Sequence, residues 1–375
     1  MLFCIFIHSI KLKPIIETDY LIVGQGIAGS CLAIQLLWRG NKVMVFDQPS
    51  LNKSSSVAAG LFNPIIGKVM TLAWKTELLY PALMEFYPKA EQFLASQFFY
   101  PIPLYRPFNS IFEQNEWMAQ SADPFFQEYI DAIFLRSTFG DEVSDPFGGL
   151  LLKRCGYLDV PAFIQATKWL LESSGSYRAV KLDTKRLKIA NEGFEFEDIR
   201  SNKIVFCGGL MDQETDFFSW LPLRPLKGET LDIQLESPLT RMYNKGVYLA
   251  PSSASNLQYK VGATYDPKDL SEETTNTAKE DLTGKLADLL VRPYKLVSQE
   301  WGFRPSTADR KPYLGEHPKV KNMFLMNGFG TKGVSLAPYF SNQLADFMEG
   351  NGGIDPEANI MRLKRVYHWP GEIRR

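Results

Sequence analysis

The run Gly24-Gln25-Gly26-Ile27-Ala28-Gly29, followed by a carboxylate at Asp47, has the residue types and spacing that hold an adenine dinucleotide. Gly24 permits a tight turn, Gly26 lets the backbone close on a pyrophosphate, and Gly29 lets a helix pack against the strand before it. The first turn of that helix offers unpaired N–H groups and the positive end of a dipole to the phosphates. Asp47, 18 residues beyond Gly29, stands where a carboxylate accepts hydrogen bonds from both ribose hydroxyls and where a 2′-phosphate would be repelled. On these residues alone NAD and FAD are equally open.

Metal and thiol chemistry find little support. Cys4, Cys31, Cys155 and Cys207 are scattered, with no CxxC pair and no zinc-like spacing to His8, His317 or His368. Neither a structural metal nor a disulfide framework is expected.

The elements that must carry the glycines are legible around them. Asp19–Val23 is a short apolar run of the kind that forms a buried parallel strand. Ile27, Leu32, Leu36 and Leu37 then fall on one helical face, Gly40 stops the helix, and Lys42–Phe46 starts a second strand that ends at Asp47. A lone GxGxxG is weak, and its bland reading is a glycine-rich turn in some other α/β protein. Strand, glycines, helix, second strand and acid in this order make a βαβ unit and favour the dinucleotide.

The 375 residues suit two domains, or one nucleotide-binding domain interleaved with a second. Hydrophobic residues at 45% and charged residues at 22% set aside disordered, collagen-like and coiled-coil readings. A net charge of -1 argues against nucleic acid as a partner held by the overall field and points to a small-molecule substrate. Met1–Ile10 is apolar but lacks a basic leading region and is too short to span a bilayer, so it reads as an extension of a cytoplasmic protein. The first strand needs nothing before about Thr18. No internal repeat and no low-complexity segment is found.

Further along, five segments carry a family resemblance. Ser54-Ser55-Ser56-Val57-Ala58-Ala59-Gly60-Leu61 is a small-residue loop, and Ile204-Val205-Phe206-Cys207-Gly208-Gly209 is a strand running into a small-residue turn. Pro225-Leu226-Lys227-Gly228-Glu229 follows, then Gly302-Phe303-Arg304-Pro305-Ser306-Thr307-Ala308-Asp309 continuing to Pro312-Tyr313-Leu314-Gly315. Last comes Asn327-Gly328-Phe329-Gly330-Thr331-Lys332-Gly333-Val334, ahead of a helix from about Ser335 to Met348. In this order they resemble the glycine oxidase and D-amino-acid oxidase family of flavoproteins from about Asp19 to Met348, with a poorly matched middle from Pro81 to Phe147.

The resemblance implies FAD and its contacts. Beside the fingerprint, these are Gln48, Ser54, Ser55, Ala59, Gly60 and Leu61, then Val180, Gly208 and Gly209, and finally the loop Gly328, Phe329, Gly330, Thr331, Lys332, Gly333 and Val334. That loop would aim a second helix N-terminus at the pyrimidine end of the flavin, where it stabilises the charge of the reduced ring. Gly302 stands where the sarcosine oxidase branch has a cysteine joined to the flavin, so the FAD is expected to be non-covalent. No second dinucleotide fingerprint follows, which favours an oxidase or dehydrogenase reduced directly by its substrate.

The implied fold is α/β: a Rossmann-type FAD-binding domain from 18–80, 151–222 and 297–350, interleaved with an α+β substrate domain from 81–150 and 223–296, and a peripheral tail at 351–375. Strand-like runs at Leu231–Leu235, Gly246–Ala250 and Gln258–Ala263 build an antiparallel sheet in the substrate domain.

The family oxidises the C–N bond of a small amino acid or secondary amine bearing a carboxylate, by hydride transfer to flavin N5. Arg304 matches its carboxylate-binding arginine, and a planar guanidinium suits that task through two parallel hydrogen bonds; the bland alternative is a surface salt bridge or a pair with Asp309. Tyr248 sits where the glycine oxidase branch uses a tyrosine hydroxyl on the same carboxylate, against the alternative of a ring packed on the sheet. Lys260, with Val261-Gly262, resembles the lysine by which the sarcosine oxidase branch assists reaction with molecular oxygen; an exposed strand lysine is the alternative. A hairpin centred near Ala254 would make Tyr248 and Lys260 cross-strand partners. Two other functions stand behind this one: a tRNA-modification oxidase of the same family, and a flavin-binding protein without turnover.

Overall fold

The computed structural model describes residues 14–48, 54–67, 71–190, 193–252 and 256–365. Met1–Ile10, the turn at Ala254 and the last part of the tail lie outside them. The βαβ unit forms as its pattern requires. Strand β1 (Ile16–Val23) leads through the glycine turn into helix α1 (Ile27–Trp38) and strand β2 (Val43–Phe46). The first strand begins three residues earlier than its apolar run, because Ile16 to Thr18 pair with Ile199 to Ser201. Gly40 takes φ +80 just past the helix end, which is the left-handed stop that glycine allows.

Five strands are parallel in the order Tyr177–Arg178, β2, β1, Ile199–Phe206, Met323–Asn327. Chain order reverses between β1 and Ile199–Phe206, and ligands of such sheets lie outside the carboxyl ends of the strands at that switch point. Both faces are covered. Tyr20 and Ile22 pack with Cys31, Leu32 and Leu36 of α1 on one side, and Leu21 packs with Met44, Phe46 and Phe206 on the other.

A second, eight-stranded sheet stands beside the first. Its order is Tyr294–Ser306, Arg224–Leu235, Gln258–Gly262, Val247–Pro251, Met242–Lys245, Leu104–Pro107, Gly149–Leu152, Ile130–Phe134. Neighbours are antiparallel except Met242–Lys245 with Leu104–Pro107, a parallel pair that joins the two insertions into one sheet. Leu282, Leu286 and Leu289 of the helix Asn276–Leu289 cover one face.

Three of the expected domain limits meet this architecture differently. Tyr294–Ser306 pairs with Arg224–Leu235 from Arg224↔Ser306 to Leu235↔Tyr294, so a limit at 297 falls inside one strand. A limit at 151 cuts Gly149–Leu152 in the same way. Residues 81–94 continue the helix Thr76–Leu94, whose Leu83, Phe86 and Tyr87 are buried with the first domain's helices; the Tyr87 hydroxyl donates to the Val334 carbonyl at 2.9 Å. Burial of its aromatic stripe places that stretch, which its Pro81 and Pro88 made hard to read as helix. Among the described residues no helix is long and apolar enough to cross a membrane, and no cluster of His, Cys, Asp and Glu is arranged to hold a metal.

Candidate active site

The glycine turn is held tightly from below. Gly24 has φ +101, and a Cβ there would stand 2.7 Å from the Cys207 carbonyl oxygen. At Gly29 a Cβ would overlap the backbone carbonyl of Gly24, so α1 can lie on the turn only if position 29 is glycine. Gly26 precedes the helix in extended conformation and offers no side-chain cap. The Asp47 carboxylate is buried at the end of β2 and accepts from the Gln25 N–H at 2.9 Å, which ties the second strand to the turn.

A second helix start meets the first. Gly333 opens the helix Gly333–Glu349, also without a side-chain cap, and a Cβ on it would come 3.0 Å from Ile27 Cγ2. Two positive helix ends therefore converge on one place. Around them the chain turns through residues with positive φ: Gly60 at +67, Gly209 at +63 and Gly330 at +53. Asp212 secures the Gly208–Gly209 turn from behind, accepting from the Gly208 N–H at 3.0 Å and from Asn327 Nδ2 at 2.7 Å. Burial lifts its carboxyl pKa to about 7 against those two donors.

A cavity of about 480 Å³ runs from these turns to the second sheet. Gly24, Gly26, Ile27, Ala28 and Asp47 line one end, with Ser54, Ser55, Ala59, Gly60 and Leu61 along the side. Gly208, Gly209, Phe329, Gly330, Thr331, Gly333 and Val334 complete the wall, and Arg304 and Tyr248 stand at the far end. Backbone N–H groups, two uncapped helix ends, one buried carboxylate and turns that a Cβ would fill make a cradle that fits FAD.

Arg304 is partly buried, and among the described residues its side chain makes one hydrogen bond, from Nη1 to the Thr264 carbonyl at 3.3 Å. Burial holds its pKa below the ordinary arginine value, and it has no carboxylate partner among the described residues. Asp309, the partner a structural role would supply, is bound by Arg362 instead. The Tyr248 ring lies toward Arg304 on the same face, and burial raises its hydroxyl pKa to about 12, with Arg304 opposing the shift. It remains a neutral donor at ordinary pH.

The expected pairing of Tyr248 with Lys260 does not form. Tyr248 faces Gly262, and Lys260 faces Ala250 on one side and Asp232 on the other. The register lies two residues from the expected one, which keeps both side chains on one face but puts them a row apart. Opposite Gly262 the tyrosine ring has room that a lysine stem would deny it. Lys260 ends between Asp232 at 3.0 Å and Glu300 at 2.7 Å, lining a separate cavity of about 280 Å³ with Gln258 and Ser298.

Other residues named from the sequence support the cradle without lining it. Gly29 packs the helix. Gln48 follows β2, and its buried Oε1 has no hydrogen-bond partner among the described residues. Val180 packs into the second side of the first core. Gly328 turns at φ +80 against Thr307. The Lys332 carbonyl accepts the first N–H groups of its helix, while burial and the nearby Arg310 bring its ammonium pKa down to about 8. Sequence reasoning missed Thr230 and Thr264, which line the cavity from the sheet. Strand alternation from Gly228 was the available signal for Thr230; Thr264 lies past the end of its strand.

Comparison with known proteins adds independent findings. A family model described as FAD dependent oxidoreductase (DAO) matches residues 19–347. A glycine oxidase from Geobacillus kaustophilus is 24% identical over 362 residues, covering 88% of this chain and 93% of that protein. The crystal structure of a glycine oxidase from Bacillus cereus is similar with a TM-score of 0.73 at 21% identity, over 89% of this chain and 95% of the other. An iminodiacetate oxidase from Chelativorans sp. BNC1 gives 0.71 at 18% identity, over 92% and 98%.

Proposed function

Because this chain belongs to the DAO family of FAD dependent oxidoreductases, we propose that it oxidises the C–N bond of a small amino acid or secondary amine that carries a carboxylate. Arg304 supports this reading most directly: a guanidinium with no acidic partner among the described residues, lining the same cavity as the dinucleotide cradle. Bound FAD supplies the acceptor for the hydride leaving the carbon that bears the nitrogen. The remaining work falls to the protein.

Arg304 takes the substrate carboxylate through parallel N–H donors and Tyr248 donates a third hydrogen bond, so the reacting carbon is held in one orientation. Among the described residues no histidine lines this cavity, and orientation rather than proton abstraction is the protein's part. The product imine is hydrolysed by water to an oxo acid and ammonia or an amine. Gly302 lines the cavity and has no side chain to bond the flavin, so the FAD is held without a covalent link.

An anaerobic flavin-bleaching screen tests the reading. Amino acids and N-methyl amino acids are expected to bleach the bound flavin while amines of the same size without a carboxylate do not. Equal bleaching by both sets, or none across the panel, would overturn it.

The acceptor in turnover is tested separately. Asp232 and Glu300 counter the Lys260 charge where it stands, so Lys260→Met is expected to leave flavin reoxidation by oxygen unchanged in stopped flow. A marked slowing would return the lysine to the oxygen reaction.

A further inference from the structure

We propose that Gly228 and Gly262 form a bare floor in the second sheet that sets the positions of Arg304 and Tyr248, making these two glycines specificity-determining residues. The proposal rests on Arg304 as the carboxylate anchor. Gly228 lies inside the long strand Arg224–Leu235, and Gly262 ends the short strand Gln258–Gly262. Neither has the positive φ that would call for glycine. In a strand interior, as at Gly228, glycine costs about 0.5–1 kcal/mol relative to alanine, so its use there signals a close approach from above.

The approaching groups are the anchors themselves. A Cβ on Gly228 would overlap Nη1, Nη2 and Cζ of Arg304, so the guanidinium lies on the Gly228 backbone. A Cβ on Gly262 would stand 2.7 Å from Tyr248 Oη and 3.0 Å from its Cζ. Register puts both on the cavity face. Arg304 pairs with Leu226, two residues from Gly228, while Tyr248, Gly262 and Thr230 share one row. Thr230, 3% exposed, stands between them and sends its Cγ2 to 2.9 Å from the same Gly262 position.

With no side chain beneath it, the guanidinium is pressed to the sheet. Its single bond to Thr264 fixes one edge and leaves the other donors for a ligand carboxylate. A methyl at Gly228 would lift the fork by the thickness of a carbon atom. A misplacement of about 1 Å can cost up to about 100-fold in rate.

The test is a double-mutant cycle of Gly228→Ala with Arg304→Ala, read on KM and kcat for an amine that bleaches the flavin, with flavin content and Tm followed throughout. Gly228→Ala is expected to lower kcat/KM on the order of tenfold, with flavin retained. In the Arg304→Ala background the same change is expected to do nothing, because the group it displaces is gone. An equal loss in both backgrounds, or no loss in either, would overturn the proposal. Should Gly228→Ala fail to fold, folding of the double variant would support the clash, and failure of both would overturn it. Gly262→Ala with Tyr248→Ala gives a second cycle, in which the contact with Thr230 Cγ2 persists and only the part of the loss that disappears with the tyrosine ring counts for the proposal. A wild-type protein that responds to no carboxylate-bearing amine would sink the anchor reading instead, which keeps the two failures apart.

Discussion

Arg304→Ala is expected to lower kcat/KM for carboxylate-bearing amines by about 100-fold or more while FAD stays bound. A charge-assisted, two-point contact between guanidinium and carboxylate is worth about 3 kcal/mol when partly desolvated, and about 1.4 kcal/mol corresponds to tenfold. Two features make the loss large at this site. Among the described residues no second cation lines the cavity to replace the anchor, and the Lys260 ammonium is engaged by Asp232 and Glu300. Tyr248 would keep one donor at the site, its hydroxyl pKa raised to about 12, but one neutral hydrogen bond does not orient a carboxylate. Arg304→Lys should recover only part of the loss, because an ammonium attracts the charge without fixing its plane. Steady-state kinetics with one amino acid and the amine lacking its carboxylate would separate the effects: the amino acid loses its advantage and the amine is unchanged. Unaltered kinetics for the amino acid would remove Arg304 from the site.

Gly29→Ala is expected to yield colourless protein. The added methyl meets the Gly24 carbonyl, which is backbone and cannot swing aside, so α1 must move off the turn. Overpacking of this kind costs about 1–3 kcal/mol, and the helix end that faces the pyrophosphate moves with it. Loss of a ligand held at about 1,000 times its Kd removes about 4 kcal/mol more. The ratio of flavin to protein absorbance after gel filtration and the Tm with added FAD measure both losses. Gly40→Ala is the control: its φ of +80 makes the substitution strained, but no atom stands within 4 Å, so a fall in Tm with the flavin retained is expected. A yellow Gly29→Ala protein of normal Tm would show that the close packing of helix on turn is not needed.

The cradle was legible because its parts are neighbours in the chain. Gly24, Gly29, Gly40 and Asp47 sit within one βαβ unit, where local backbone sterics and a fixed helix length leave one arrangement. The later loops at Gly60, Gly209 and Gly330 were reached through the family resemblance, and in the structure each is a turn of positive φ that glycine makes readily. The middle of the chain was not. Thr76–Leu94 carries two prolines, and its helix is decided by the aromatic face it buries against α1 and Gly333–Glu349.

The residues of the second sheet show where local reasoning stops. Alternation along Val247–Pro251 and Gln258–Gly262 correctly places Tyr248 and Lys260 on one face, since side-chain direction in a strand repeats every two residues. It says nothing about a slide of two residues, which preserves the face and changes every partner. That slide sends Tyr248 over Gly262 toward Arg304 and Lys260 to Asp232 and Glu300. The amino-acid sequence by itself determined the glycine turn, because a glycine's freedom is a property of a single residue, and it offered Arg304 as candidate anchor through the motif it shares with the family. Only the tertiary structure decided which side chains share the cavity and which glycines lie beneath them, because register is set by pairing between strands far apart in the chain.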